Sequence, residues 1–468
     1  MKHLLPKLIW ICMTVSLAIV FYFGLDFAIS DDTNSASRVS LHDFYNEKEI
    51  DTLFIGSSHA MFIVDANQLS NNLAESVFNL SSYSMNNKHS YYLLKEALRQ
   101  KQIKSVWCEV SLSPLTEKEY HSVATYMLSD YMKSTDIKFE MINKTLKEED
   151  VFNAWFRLRR HSAPFPSWIE LKWIVREKLS APYRNYLGDG RYLGRGFWKT
   201  NGSITFENEM AIDVDDIGLD NFSTSEIVND EILYLLKIID LCERRDVDLN
   251  FYILPYSVYY LICFEQYESV VEYIKDRIMK TGVAFYDFNL VKDKYLDLDA
   301  DDFGDYDHIK TQAAYKLADF LEVLIRNPSD HYFYHNLTEK YPDQDKIRAI
   351  GYSKQHIGNG NDQDNIEVLI SGLSFSRMQT TVAVSEMIYN TKLKRYEKGR
   401  TIPPINEAGN IFLVSQKNHM GENLFYLVEI FDISSGELLY KTITNFSDEK
   451  TTGINISTSS WEMKQMSG

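Results

Sequence analysis

The sequence predicts an α/β protein: a parallel sheet with helices on both faces, carrying a helical insertion, preceded by a transmembrane helix and followed by an all-β, sandwich-like domain. Three observations predict it. Short apolar runs alternate with amphipathic stretches over 49–330, the rhythm of repeated βαβ units. An uncharged run near the N-terminus has the length of a bilayer core. After about residue 340 the helical period gives way to strands and hairpin turns.

Lys2, His3 and Lys7 precede the uncharged run from Leu8 to Leu25, and Asp26, Asp31 and Asp32 follow it. Eighteen residues at helical rise cover about 27 Å, close to a hydrocarbon core. Positive charge before the run and acid after it predict an anchor over 1–30 with the N-terminus inside and the bulk outside. The rival is a cleaved signal peptide, since Ala28-Ile29-Ser30 has small residues at cleavage spacing. Residues 31–48 are polar and read as a linker.

Asp51-Thr52-Leu53-Phe54-Ile55-Gly56 reads as a buried strand ending in a turn, with further strands at 76–80 and 105–110 and a helix between them over 88–102. Residues 115–222 break the rhythm. They are rich in Tyr, Trp, Arg and Lys, with helices expected at 118–133, 147–160 and 166–179, and they read as an insertion shaping substrate access. The capping box Ser223-x-x-Glu226 then opens a helix to about 245. Strands at 249–254 and 283–288 alternate with helices at 265–281 and 310–326. Five strand-like runs between 365 and 444 place the β domain over 345–446, and 447–468 reads as a flexible tail.

The net charge of −17 argues against a nucleic-acid surface, which needs clustered cations to replace phosphate counterions. Cys12, Cys108, Cys242 and Cys263 stand singly, without CxxC or Cys/His clusters, so neither a zinc site nor a disulfide framework is expected. The acidic run Asp297, Asp299, Asp301, Asp302 lacks the Gly and Glu that an EF-hand loop requires and reads as a solvated loop. No metal or cofactor is expected.

Two segments carry chemistry. Phe54-Ile55-Gly56-Ser57-Ser58-His59-Ala60 places a hydroxyl at the carboxyl end of a parallel strand, where open α/β sheets bind ligands and a helix N-terminus offers N–H groups to a developing oxyanion. Serine needs a base to become nucleophilic. Asp305-Tyr306-Asp307-His308 supplies one: a spacing of three lets a turn bring the carboxylate to one imidazole nitrogen and leave the other for serine. Asp307 is the alternative orienter, and a plain helix cap is the alternative role for Ser58. His59, adjacent to the nucleophile, reads as orienting the loop or the substrate. Arg159, Arg160 and His161 form a solvated helix face or a grip on an anionic polymer. Trp168, Trp173, Phe197 and Trp198 form core or a sugar groove.

Together these segments resemble the SGNH/GDSL hydrolase superfamily, whose first block is a strand followed by Gly-x-Ser and whose last is Asp-x-x-His before the terminal helix. Gly56, Ser58, Asp305 and His308 match those positions, and the resemblance covers about 48–328 apart from the insertion. It implies a flavodoxin-like three-layer domain with catalytic Ser58, Asp305 and His308. The family's oxyanion Gly and Asn have no counterparts after the second and third strands, which leaves the Ser82 N–H and the Asn86 side chain as candidates. In lacking them, and in having an anchor and an external domain, the chain is similar to branches acting on cell-envelope polymers, including teichoic-acid D-alanine transfer and alginate O-acetylation proteins. That resemblance implies an esterase or O-acyltransferase working through an acyl-serine on extracellular polysaccharide, with a membrane-bound acyl-donor protein as a further partner. The alternative is a non-catalytic glycan-binding protein on the same scaffold.

Overall fold

The computed structural model describes residues 4–112, 115, 122–161, 165–188, 190–200, 227, 229–257, 261, 267–298, 302–304 and 308–340. Beyond these it describes Gly436 and the strands β8 to β16 given below.

Five strands form a parallel sheet: β1 (Thr52–Ile55), β2 (Val77–Asn79), β3 (Ser105–Glu109), β6 (Asp248–Ile253) and β7 (Ala284–Asp287), in the order β2-β1-β3-β6-β7. Reversing direction beside β1 is the doubly wound arrangement, which leaves a crevice outside the carboxyl ends of β1 and β3. Both faces are buried, so the strands read as continuous apolar runs. Leu53, Ile55, Val106, Cys108, Phe251 and Ile253 face one way. They meet α5 (Asn87–Gln100) and the helices Asn229–Glu243 and Tyr267–Met279 through Leu94, Ala97, Ile238 and Ile274. Phe54, Trp107, Tyr252 and Tyr286 face the other way, against Leu69 of α4 (Ala66–Leu73) and Leu317 and Leu321 of the helix Thr311–Arg326.

The helix α1 (Leu4–Ile29) contains a stretch, Ile9–Ile29, long and apolar enough to cross a membrane, with mean hydropathy 1.9 and burial only at its end, at Ile29. The stretch expected to be a linker is a packed helix, α2 (Ala36–Asn46), capped by Ser35 and burying Val39, Leu41 and Phe44. Its polar residues hid its apolar side, and its partners lie far along the chain.

The insertion holds α6 (Ser122–Ser129), α7 (Thr135–Thr145), α8 (Glu148–Trp155), α9 (Arg157–His161), α10 (Trp168–Leu179) and α11 (Ala181–Arg184). It also holds a hairpin, β4 (Tyr192–Gly194) with β5 (Phe197–Trp198). The hairpin covers the exposed edge of β2: Asn79 N–H donates to Arg195 O at 3.0 Å. Gly196 (φ +79°) is required there, because a Cβ would meet Asn79 O at 1.6 Å. Ser223 and Glu226 lie outside the described residues.

Beyond the parallel sheet, β8 (Ala349–Ile357), β9 (Gln363–Ser371), β10 (Thr380–Asn390), β11 (Arg395–Ile402), β12 (Asn406–Ala408), β13 (Ile411–Lys417), β14 (Phe425–Asp432), β15 (Leu438–Asn445) and β16 (Thr452–Asn455) form two antiparallel sheets, ordered β11-β10-β14-β15 and β12-β13-β9-β8-β16. The segment expected to be a free tail contributes β16, which pairs with Ala349–Tyr352 of β8.

Candidate active site

The turn after β1 is built on Gly56. A Cβ there would lie 2.2 Å from Glu109 Oε2 and 2.9 Å from the Ala60 Cβ, so only glycine lets the end of β3 approach. Ser57 follows as N-cap of α3 (Ser58–Ile63), its Oγ accepting from His59 N–H at 3.2 Å. The Ser57 N–H donates to Glu109 Oε2 at 2.6 Å and its hydroxyl donates to the same carboxylate at 3.0 Å. His59 Nδ1 faces Glu109 Oε1 at 3.3 Å, and its Nε2–H donates to Pro255 O at 3.2 Å. His59 and Glu109 are 3% and 2% exposed, so this network is a staple tying the turn to the ends of β3 and β6.

Ser57 is turned inward, whereas Ser58 is turned toward His308. It is half-buried, and its Oγ lies 3.1 Å from Nε2 of the half-buried His308, within proton-transfer reach. His308 is held by pairing between 302–304 and 308–310: Gly304 N–H donates to His308 O at 2.7 Å, Lys310 N–H donates to Asp302 O at 2.6 Å, and Phe303 bridges Ile309. Phe303 and Ile309 are buried, and Lys316 pairs with Asp302 at 2.7 Å. The imidazole stands edge-on to Phe62, with centroids 5.5 Å apart, and to His59 at 6.0 Å. Two residues 250 positions apart are therefore set by two independently pinned turns. Asp305, Asp307, Asp299 and Asp301 lie outside the described residues.

The other candidates are committed elsewhere. The Ser82 N–H donates to Gly56 O at 3.2 Å, continuing the parallel pairing, so it is not an oxyanion donor in this arrangement. The Ser82 hydroxyl shares a hydrogen bond with Ser37 at 2.7 Å. Asn86 is the N-cap of α5, its side chain accepting from His89 N–H at 3.2 Å. His59 is locked in the staple. Arg160 pairs with Asp130, and Arg159 lies over Phe152. The four aromatics do not line one groove: Phe197 and Trp198 are core, Trp198 donating to Ser40 Oγ at 2.9 Å, whereas Trp168 and Trp173 are exposed on α10. Cys108 and Cys242 are buried, and burial pushes both thiols up, Cys242 to about 12. Cys263 lies outside the described residues. Among the described residues no cluster of His, Cys, Asp or Glu could hold a metal ion.

Sequence reasoning missed Glu109. A lone acid ending an apolar strand resembles a solvated loop residue. The available signal was Gly56, whose missing side chain leaves room for a neighbour on the adjoining strand.

No family model and no curated protein matches the chain. Among solved structures, an engineered protein aligns with 92% of this chain and 98% of its own at 10% identity, with a TM-score of 0.16, a value that supports no argument about fold or function.

Proposed function

We propose that this chain is a membrane-tethered, externally facing serine enzyme that transfers or removes acyl groups on cell-envelope carbohydrate polymers. The observation that carries the reading is the 3.1 Å contact between Ser58 Oγ and His308 Nε2 at the carboxyl end of a doubly wound parallel sheet. The resemblance of the Gly56/Ser58 and Asp305/His308 segments to SGNH hydrolases supports the same reading.

In the proposed reaction His308 Nε2 takes the Ser58 proton as Oγ attacks the acyl carbonyl. The Ser58 N–H, at the start of α3, is the oxyanion donor we favour now that Ser82 is committed. The imidazolium returns its proton to the leaving oxygen, giving acyl-Ser58. A sugar hydroxyl or water then gives its proton to His308 and attacks the ester; the acyl–Oγ bond breaks as the imidazolium returns that proton to Ser58 Oγ, releasing the acylated sugar or the free acid and restoring both residues. Asp305 is assigned the role of orienting His308 and stabilising the imidazolium. The antiparallel sheets β8 to β16 are assigned to a sandwich-like domain that binds glycan or supports the enzyme.

The commitment of Ser82 and Asn86 to structural bonds favours a second reading, a glycan-binding protein on an SGNH scaffold. Acetyl release from an acetylated oligosaccharide, measured with and without an unacetylated acceptor, separates the two. Turnover by the wild type but not by Ser58→Ala supports the enzyme, and acceptor-dependent product marks it as a transferase. Equal turnover by both proteins removes Ser58 from the mechanism.

A further inference from the structure

The insertion presents an exposed apolar and basic face, although the net charge of the protein is −17. On α10, Trp168, Ile169, Lys172, Trp173, Arg176 and Leu179 all point outward, with Ile169 80% and Trp168 71% exposed. Spacings of three and four put them on one side of the helix. The opposite side, with Ile174 and Lys178, is buried. Two Trp, two aliphatics and two cations, bordered by Glu170 and Glu177 beyond Trp173, form a face suited to the headgroup zone of a bilayer. There indole rings and snorkelling Lys and Arg are favoured and anionic phosphates complement the charge.

This face is continuous with the anchor. Ala28, in the last turn of α1, and Leu171, Val175 and Leu179 of α10 line one open apolar groove. The joint between the two helices is tied by charge and hydrogen bonds. Asp32 is paired with Lys178 at 3.0 Å and Arg157 at 2.9 Å, and it accepts from the hydroxyls of Tyr131 at 2.7 Å and Tyr183 at 2.9 Å. Lys178 also donates to Ser30 O. Immediately after this clamp, α2 carries Ser37 to Ser82, whose N–H holds Gly56 O beside the candidate nucleophile.

We propose that α10 is a second membrane element, lying in the headgroup zone of the leaflet from which α1 emerges. Clamped to the anchor through Asp32, it holds the Ser58/His308 pair in one orientation to the bilayer. The proposal rests on α1 crossing the membrane and does not require acyl-transfer chemistry.

The test uses the full chain in nanodiscs of phosphatidylcholine and phosphatidylglycerol, with Cys263 replaced by Ser. A nitroxide is placed on Cys12 in one sample. After Cys12→Ser, it is placed on Ile169→Cys or on Lys280→Cys, an exposed reference position. Cys108 and Cys242 are buried. Collisions with oxygen and with a water-soluble nickel complex give the depth of each label. We expect position 169 about 5–10 Å into the headgroup and acyl boundary, Cys12 within the apolar region near the opposite boundary, and position 280 in water. A Cys12 label in the apolar region with position 169 as wet as position 280 overturns the proposal alone. A position 169 shielded from both reagents means that protein covers the face, and also overturns it. A Cys12 label in water overturns the anchor, and the proposal with it.

Discussion

Two serine–histidine pairs meet at the turn after β1, one held within that turn and the other joined across 250 positions, and they differ in their surroundings. Ser57 and His59 are buried, and each has its hydrogen bonds taken by Glu109, Pro255 or the start of α3. Ser58 and His308 are half-buried and meet at 3.1 Å beyond the carboxyl end of β1. The difference teaches that buried hydrogen bonds on every side suit a structural pair, whereas partial exposure together with a short base contact is what the proposed chemistry requires. The first pair makes the second possible: by drawing Ser57 inward, Glu109 fixes which of two adjacent hydroxyls is presented.

The comparison is broken most directly at Ser58. Ser58→Ala is expected to lower kcat on the order of 10^6-fold with no change in melting temperature beyond that of an ordinary surface substitution. His308→Gln should cost about 10^2–10^4-fold in kcat and likewise leave folding intact. Turnover assays beside thermal melts check both, and a large loss of stability in either would place that residue with the structural pair.

Glu109→Ala should show the reverse balance. It strands the Ser57 N–H and hydroxyl and leaves His59 without its carboxylate, for a loss of about 3–5 kcal/mol in urea unfolding. Its kcat should fall less than that of Ser58→Ala once melted protein is corrected for. A fully stable Glu109→Ala protein would dissolve the staple.

A smaller effect is expected at Asp32→Asn, about 1–3 kcal/mol. Burial pushes the Asp32 carboxyl up, but the Lys178 and Arg157 charges and the hydrogen bonds from Tyr131 and Lys178 together outweigh it and hold it well below the usual carboxylate range. A depressed folded pKa contributes stability that is present above the unfolded value and lost as the pH falls through the folded one. The gap between wild type and Asp32→Asn should therefore be full at neutral pH and shrink below about pH 4. A gap independent of pH would contradict the ion-pair account. The smallest effect is expected at Ser57→Ala, about 1–2 kcal/mol for a lost helix cap, with the Ser58 chemistry retained.

Much of this arrangement is legible in the sequence because it is local. The five strands of the parallel sheet are apolar runs buried on both faces. The expected helices over 88–102 and 310–326 correspond to Asn87–Gln100 and Thr311–Arg326. Ser58 and His308 each follow from a short motif in a strand or pre-helix setting. What is not legible depends on contacts distant along the chain. The four side chains on Asp32 lie 99 to 151 residues away, and nothing in the stretch 31–48 announces them. The apolar positions of α2 have meaning only against β2 and the hairpin. Glu109 becomes readable only when Gly56 on the neighbouring strand is known to face it. The oxyanion expectation at Ser82 fails for the same reason, since the pairing of its N–H with Gly56 O belongs to the sheet.

The central claim is that Ser58, activated by His308, is the nucleophile. Its most direct test is reaction of the full membrane-inserted chain with a fluorophosphonate, followed by mass spectrometric mapping of the adduct. The account predicts an adduct on Ser58 that is retained in Ser57→Ala and lost in His308→Gln. An unmodified Ser58 in folded wild-type protein, or an adduct on Ser57, would contradict it.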